Sequence, residues 1–234
     1  MPRQLSKRGF GRKKNTKPAK KAILIVTEGE VSEKLYFQGL KRALKLPEKL
    51  LDCHVVPGGT GDVKKLSDIA EDCKKARAKD KSPLAKNFDE IWVIFDTDTL
   101  SRGGANSHQL SQRVAFMEDK VHHDPSWNFG YSNPSFEYFM LLHFEYSTRA
   151  YTSQQLATRI KEISNLKNPK KESQLRDSAF LKSLIDNWKT GQYNALKVAA
   201  YQEESNSLFP HDTPNTKLGK LLQSITSPVS KVME

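Results

Sequence analysis

Residues 90–98 read Glu-Ile-Trp-Val-Ile-Phe-Asp-Thr-Asp, and this stretch decides the fold. Ile91 to Phe95 form an unbroken apolar run rich in β-branched and aromatic side chains, as expected of a strand buried on both faces in a parallel sheet. The run stops at Asp96-Thr97-Asp98, and a polar Ser101-Arg102-Gly103-Gly104 loop follows. Side chains along extended backbone alternate with period two, so Asp96 and Asp98 point to the same side.

Toward the N-terminus the same pattern recurs. Ala22-Ile23-Leu24-Ile25-Val26-Thr27 is a second buried run, ending in Glu28-Gly29-Glu30. A helix follows with Leu35, Tyr36, Gly39, Leu40, Ala43 and Leu44 on one side, closed by Pro47. Leu51–Val56 reads as a strand ending in the tight turn Pro57-Gly58-Gly59-Thr60-Gly61. Asp62 caps the next helix, whose stripe is Val63, Leu66, Ala70, Cys73 and Arg77. On the C-terminal side, residues 107–121 read as a helix and Asn128–Ser132 as a short strand. Asn133-Pro134-Ser135-Phe136-Glu137 reads as a helix start with Pro at the first helical position. Beyond Tyr146 the pattern is helical only, over 152–164, 177–190, 192–203 and 215–225, with a polar loop at Asn165–Glu172. The expectation is an α/β fold with a Rossmann-like parallel sheet flanked by helices over 22–146 and an α-helical extension over 147–234 packed on it.

Charge is distributed unevenly. Nine of the 38 Lys and Arg residues lie in residues 1–21, which hold no acid, leaving 29 basic against 27 acidic residues in the body. The composition of 1–21 predicts a disordered basic tail. Its Arg8, Arg12, Lys13 and Lys14 are candidate nucleic-acid contacts through phosphate neutralisation, which carries no sequence preference. Arg102, in the loop after the aspartates, is a further phosphate candidate. The two cysteines, Cys53 and Cys73, lack metal-site spacing and read as reduced thiols. No apolar run is long enough to span a membrane, and the N-terminus lacks a secretory signal, so a cytoplasmic protein is expected.

Ligands of open parallel sheets bind outside the carboxyl ends of the strands. Glu28 stands at such an end, and so do Asp96 and Asp98. Three carboxylates brought together repel one another unless a cation offsets them, and hard oxygen donors suit Mg²⁺ or Mn²⁺. An ion so placed supports phosphoryl-transfer chemistry by stabilising developing charge and activating water. Glu137 is a candidate fourth acid; a role in the first turn of its own helix, facing the helix dipole, is the alternative. Glu30 and Glu33 follow the first strand, where a capping box involving Ser32 or Glu30 is the expected role. Polar strand ends alone are weak evidence.

A resemblance adds to this reading. Ile25-Val-Thr-Glu-Gly-Glu-Val-Ser-Glu-Lys-Leu-Tyr-Phe37 resembles the glutamate motif of the Toprim superfamily, and Val93-Ile-Phe-Asp-Thr-Asp98 resembles its DxD motif. Within that superfamily the chain is most similar to the RloB-like family, through the first of these segments, Ser132–Glu145 and Pro214–Leu222. Together they span about 22–225. Thr27 departs from a position that is hydrophobic in many relatives. The loop after Asp98 has no immediately following acid, which argues against a second metal site of the nuclease type.

The resemblance implies a Toprim-like fold, with Glu28, Asp96 and Asp98 as catalytic residues and metal ligands. It implies a Mg²⁺- or Mn²⁺-dependent nuclease acting on DNA or RNA in anti-phage defence, working with a separate ATPase partner and leaving room for a homo-oligomer. This chain carries no Walker A motif of its own. The competing reading is a non-catalytic nucleic-acid-binding or regulatory module with binding dominated by the tail. A primase-like transferase ranks below both, because no zinc module or tyrosine cleavage domain accompanies the sheet.

Overall fold

The computed structural model describes residues 21–44, 51–79, 87–98, 107–207, 209 and 213–230. Four parallel strands run in the order β2-β1-β3-β4: β1 (Lys21–Thr27), β2 (Leu51–Pro57), β3 (Glu90–Asp96) and β4 (Trp127–Asn133). Between them lie α1 (Ser32–Ala43), α2 (Val63–Lys79) and α3 (Ser107–His123). The chain steps from β1 outward to β2, then back across to β3, so the strand order reverses between β1 and β3. The crevice at such a switch point is where open α/β sheets bind ligands.

The predicted strands form because their side chains are divided between two cores. Ile23, Ile25, Trp92 and Ile94 enter a cluster with Leu35, Tyr36, Phe37 and Leu40 of α1. Ala22, Leu24, Val26, Ile91, Val93 and Phe95 enter a second cluster with Val63, Leu66 and Ala70 of α2 and Met117 of α3. A sheet covered on both faces accounts for the continuous apolar runs.

After β4 come α4 (Phe136–Leu141), α5 (Ser153–Ser164), α6 (Glu172–Leu175), α7 (Ala179–Asp186) and α8 (Trp188–Glu204). A two-residue β5 (Asn215–Thr216) and α9 (Leu218–Ser230) complete the described elements. The core residues of α5 to α9, among them Leu156, Leu184, Val198 and Leu222, join the cluster on the α1 face.

Two expectations are corrected. The chain beyond Tyr146 is not purely helical, since β5 pairs antiparallel with β4 through Ser132 with Thr216 and Asn133 with Asn215. Buried backbone at a sheet edge needs partners, and the Thr216 hydroxyl donates to the Tyr131 carbonyl at 3.0 Å while Lys217 N–H reaches the same oxygen at 2.9 Å. Pro134 is not the first helical residue either; Ser135 is the N-cap of α4, in extended conformation and without a side-chain cap hydrogen bond. Pro134 instead offers its carbonyl to the Asp98 N–H at 3.1 Å.

One neutral polar pair is buried between α1 and the end of α4. Tyr36 and His143 are 0% and 2% exposed, so every polar atom they carry must be satisfied internally. The His143 Nδ1–H donates to the Phe139 carbonyl at 2.9 Å, which leaves Nε2 to accept the Tyr36 hydroxyl at 2.8 Å. Burial holds the imidazole down at about 4, so it stays neutral. No helix among the described residues is long and apolar enough to cross a membrane.

Candidate functional site

Glu28 is the first residue past β1, and its backbone N–H extends the ladder by donating to the Ile94 carbonyl at 2.8 Å. Its Oε2 accepts the Asp96 N–H at 2.9 Å, so the two strand ends are tied through the first of the predicted acids. Asp96 in turn accepts the Phe136 N–H on Oδ1 at 2.8 Å. The Asp96 side chain thus supplies the α4 cap that Ser135 does not.

The segment after β3 is fastened to the start of α4 residue by residue. Besides the bond from Phe136 to Asp96, the Thr97 hydroxyl donates to Asn133 Oδ1 at 2.8 Å and the Asp98 N–H to the Pro134 carbonyl. The consequence is that Glu137, in the first turn of α4, is delivered beside Asp96. It is 6% exposed.

Glu28, Asp96 and Glu137 line one cleft of about 400 Å³, with Glu33, Glu30, the Gly59-Thr60-Gly61 turn and Lys170. Gly59 adopts φ +63°, a left-handed conformation that suits glycine, and a Cβ there would lie 2.7 Å from Glu30 Oε1. Asp98 sits alongside without lining the cleft, its Oδ2 accepting the Ser153 hydroxyl at 2.6 Å.

Glu33 is a member that sequence reasoning assigned elsewhere. The expected capping box does not form, because Val31 is the N-cap of α1 and makes no side-chain cap bond. Glu33 is instead 6% exposed and folds back over the Glu28-Gly29 turn. A Cβ on Gly29 would lie 1.9 Å from Glu33 Oε2, so this glycine makes room for the carboxylate. Lys170, in a polar loop far along the chain, carries no local signal that would place it here. Its Nζ lies 2.6 Å from Glu137 Oε1.

The electrostatics follow from this crowding. Burial lifts the Asp96 carboxyl well above the usual range, and the charges of Glu33, Glu137, Glu28 and Asp98 add to the effect. Glu33 is pushed up to about 7, first by burial and then by Glu137 and Glu28, while its own backbone N–H and Lys170 pull the other way. Protons or cations must offset such a cluster.

Among the described residues, no three His, Cys, Asp or Glu side chains are arranged to hold a metal ion as they stand. The donor set is nonetheless of the kind Mg²⁺ and Mn²⁺ take. Mg²⁺ commonly binds through one or two carboxylates and completes its shell with water and substrate phosphate. Arg8, Arg12, Lys13, Lys14 and Arg102 lie outside the described residues.

The family model described as RloB-like protein matches residues 23–225. The chain belongs to the RloB-like family. No curated protein and no solved structure matches it. The RloB-like span contains every cleft residue named above together with β5 and most of α9, and it leaves the first 22 residues outside.

Proposed function

We propose that this RloB-like chain is a divalent-metal-dependent nuclease of the Toprim type, hydrolysing phosphodiester bonds of DNA or RNA in anti-phage defence. The observation that carries the reading is the gathering of the Glu28, Glu33, Asp96 and Glu137 carboxylates in one cleft at the β1/β3 switch point. A glutamate after one strand and a DxD after its neighbour is the Toprim arrangement that the sequence resembles.

Glu28 and Asp96 would hold Mg²⁺ or Mn²⁺ directly, with Glu33 and Glu137 as further acids and Asp98 adding charge from beside them. A bound ion supplies charge stabilisation to phosphoryl transfer and lowers the pKa of water. Glu33, held toward its protonated form by burial and by Glu137 and Glu28, would serve as a proton donor or acceptor in the cleft. The bond from Asp96 to the Phe136 N–H keeps the acids on rigid elements, which limits the motion that productive geometry must overcome. An ATP-dependent step would fall to a separate ATPase partner. The basic N-terminal segment would add affinity for nucleic acid without choosing its sequence.

The test is incubation of the full chain with plasmid, single-stranded DNA and total tRNA under Mg²⁺ or Mn²⁺, beside a Glu28→Gln variant. Cleavage by the wild type that EDTA and the variant both abolish supports the reading. Metal-independent binding with no cleavage by either protein, in the presence of any ATPase partner recovered with the chain, favours the non-catalytic binding module.

A further inference from the structure

Lys170 is the basic residue among the described residues lining an otherwise acidic cleft. It is carried on a turn that is held in place. The Asn168 N–H donates to Gln174 Oε1 at 2.7 Å, Lys170 N–H to Asn168 Oδ1 at 3.1 Å, and Lys171 N–H to the Asn168 carbonyl at 3.0 Å. Pro169 is buried beneath, beside Ile160 and Met140. The backbone is therefore anchored, and the mobile part is the four-carbon stem with its ammonium. That side chain is 62% exposed, while the Glu137 side chain it pairs with, 2.6 Å away, is 8% exposed.

This asymmetry distinguishes the pair from a structural clamp. A buried carboxylate needs a positive neighbour, and Glu137, Asp96 and Glu33 in turn favour the charged lysine, but a side chain still 62% exposed can trade that pairing for water at small cost. A divalent ion brings twice the charge to the same oxygens, and the lysine stem can swing to the rim without disturbing its turn. Phosphate oxygens arriving over the ion would then meet a point-charge donor of the kind lysine provides.

We infer that Lys170 is the resident counter-cation of the acidic cleft: it neutralises Glu137 while no divalent ion is bound, yields that position to Mg²⁺, and turns its ammonium toward the incoming phosphodiester. The inference rests on the metal-site reading above and adds a residue that exchanges between protein and substrate.

Calorimetric titration of the full chain with Mg²⁺ alone, at about pH 8, reads the first half. Lys170→Met should bind Mg²⁺ about tenfold more tightly than the wild type, and Lys170→Arg should restore the wild-type affinity. The second half is read as the Mg²⁺-dependent part of the affinity for a mixed DNA oligonucleotide, taken as the difference between Mg²⁺ and EDTA. It should fall several-fold in Lys170→Met, opposite in sign to the change in Mg²⁺ affinity.

Equal or weaker Mg²⁺ binding by Lys170→Met overturns the inference. A lowered urea midpoint with unchanged Mg²⁺ affinity would mark a structural clamp. An unchanged oligonucleotide difference removes the phosphate contact. Wild-type binding with no effect of the variant leaves the metal site standing and sinks only the inference, whereas no binding by either protein sinks both. Lys170→Gln serves as the second variant if Lys170→Met does not fold.

Discussion

The helices α1 and α4 meet twice through polar groups, and the two meetings are built on opposite principles. One turn of α1 carries Glu33 toward Glu137 of α4, while the next carries Tyr36 toward His143, two residues past the end of α4. The second meeting is neutral and fully paired, with a hydroxyl, an imidazole and a carbonyl in series and rings stacked edge-on around them. The first gathers like charges, so that burial and repulsion hold Asp96 and Glu33 toward their protonated forms. Satisfied polar groups in a core lend a fold definition, whereas a cluster of like charges only partly offset by Lys170 costs stability and persists where it serves function. The same pair of helices thus supplies a structural joint and, a few ångströms of helix away, a site that calls for a cation.

Breaking the joint should have the largest effect. Tyr36 is fully buried against Phe37, Phe136, Phe139 and His143. Tyr36→Ala should cost about 3–5 kcal/mol in urea unfolding. Tyr36→Phe, which strands the His143 Nε2, should cost about 1–3 kcal/mol. Neither should act through the charge of the cleft, so the ratio of Mg²⁺ affinities between Tyr36→Phe and wild type should stay near one.

The two regions also respond to pH with opposite sign. The Glu33 carboxyl is raised from 4.5 to about 7 in the folded chain, so the native state binds more protons than the unfolded chain between these values. Stability is therefore full below pH 4.5 and declines as pH climbs to about 7. His143 is lowered from 6.5 to about 4, so the unfolded chain binds more protons in that window, and stability is lost as pH falls from 6.5 to 4. Over pH 4.5–6.5 the two contributions oppose each other. Urea midpoints without metal should fall less with rising pH there in Glu33→Gln than in the wild type, since Asp96 still contributes a decline, and fall more in His143→Gln. Parallel profiles for the two variants would remove the contrast between the sites.

The smallest effect on stability belongs to Gly29→Ala. The added methyl meets the end of the Glu33 side chain, which can move aside, so unfolding should change by less than about 1 kcal/mol. Mg²⁺ affinity should nevertheless drop, because the carboxylate leaves its place. Loss of stability without loss of Mg²⁺ affinity would count against Glu33 as a member of the site.

Much of this was legible in the sequence because the deciding signals are local. The runs Ala22–Thr27 and Ile91–Phe95 carry two-faced burial in their composition, and the acids that follow them occupy strand ends. Glu137 was a candidate for the same reason, as an acid opening a buried helix. Glu33 was not recognised, because a glutamate in the first turn of a helix looks like an ordinary cap. Its real signal is Gly29, a residue whose missing side chain lets the carboxylate fold back. Lys170 and β5 were illegible for a different reason: each depends on a contact with a distant part of the chain, and neither a loop lysine nor two residues of strand has any periodicity to read. The assignment of Pro134 failed because the α4 cap comes from Asp96, 40 residues earlier.

The contrast between the two meetings is tested most directly by thermal unfolding at about pH 8, in Mg²⁺ and in EDTA, of the wild type, Glu28→Gln and Tyr36→Phe. A ligand that binds only the native state adds about 2.7 kcal/mol at a hundredfold excess over its Kd. Mg²⁺ should raise the midpoint of the wild type and of Tyr36→Phe by the same increment and leave Glu28→Gln unmoved. An equal rise in all three proteins, or none in the wild type, would contradict a cation site at the meeting of Glu28, Glu33, Asp96 and Glu137.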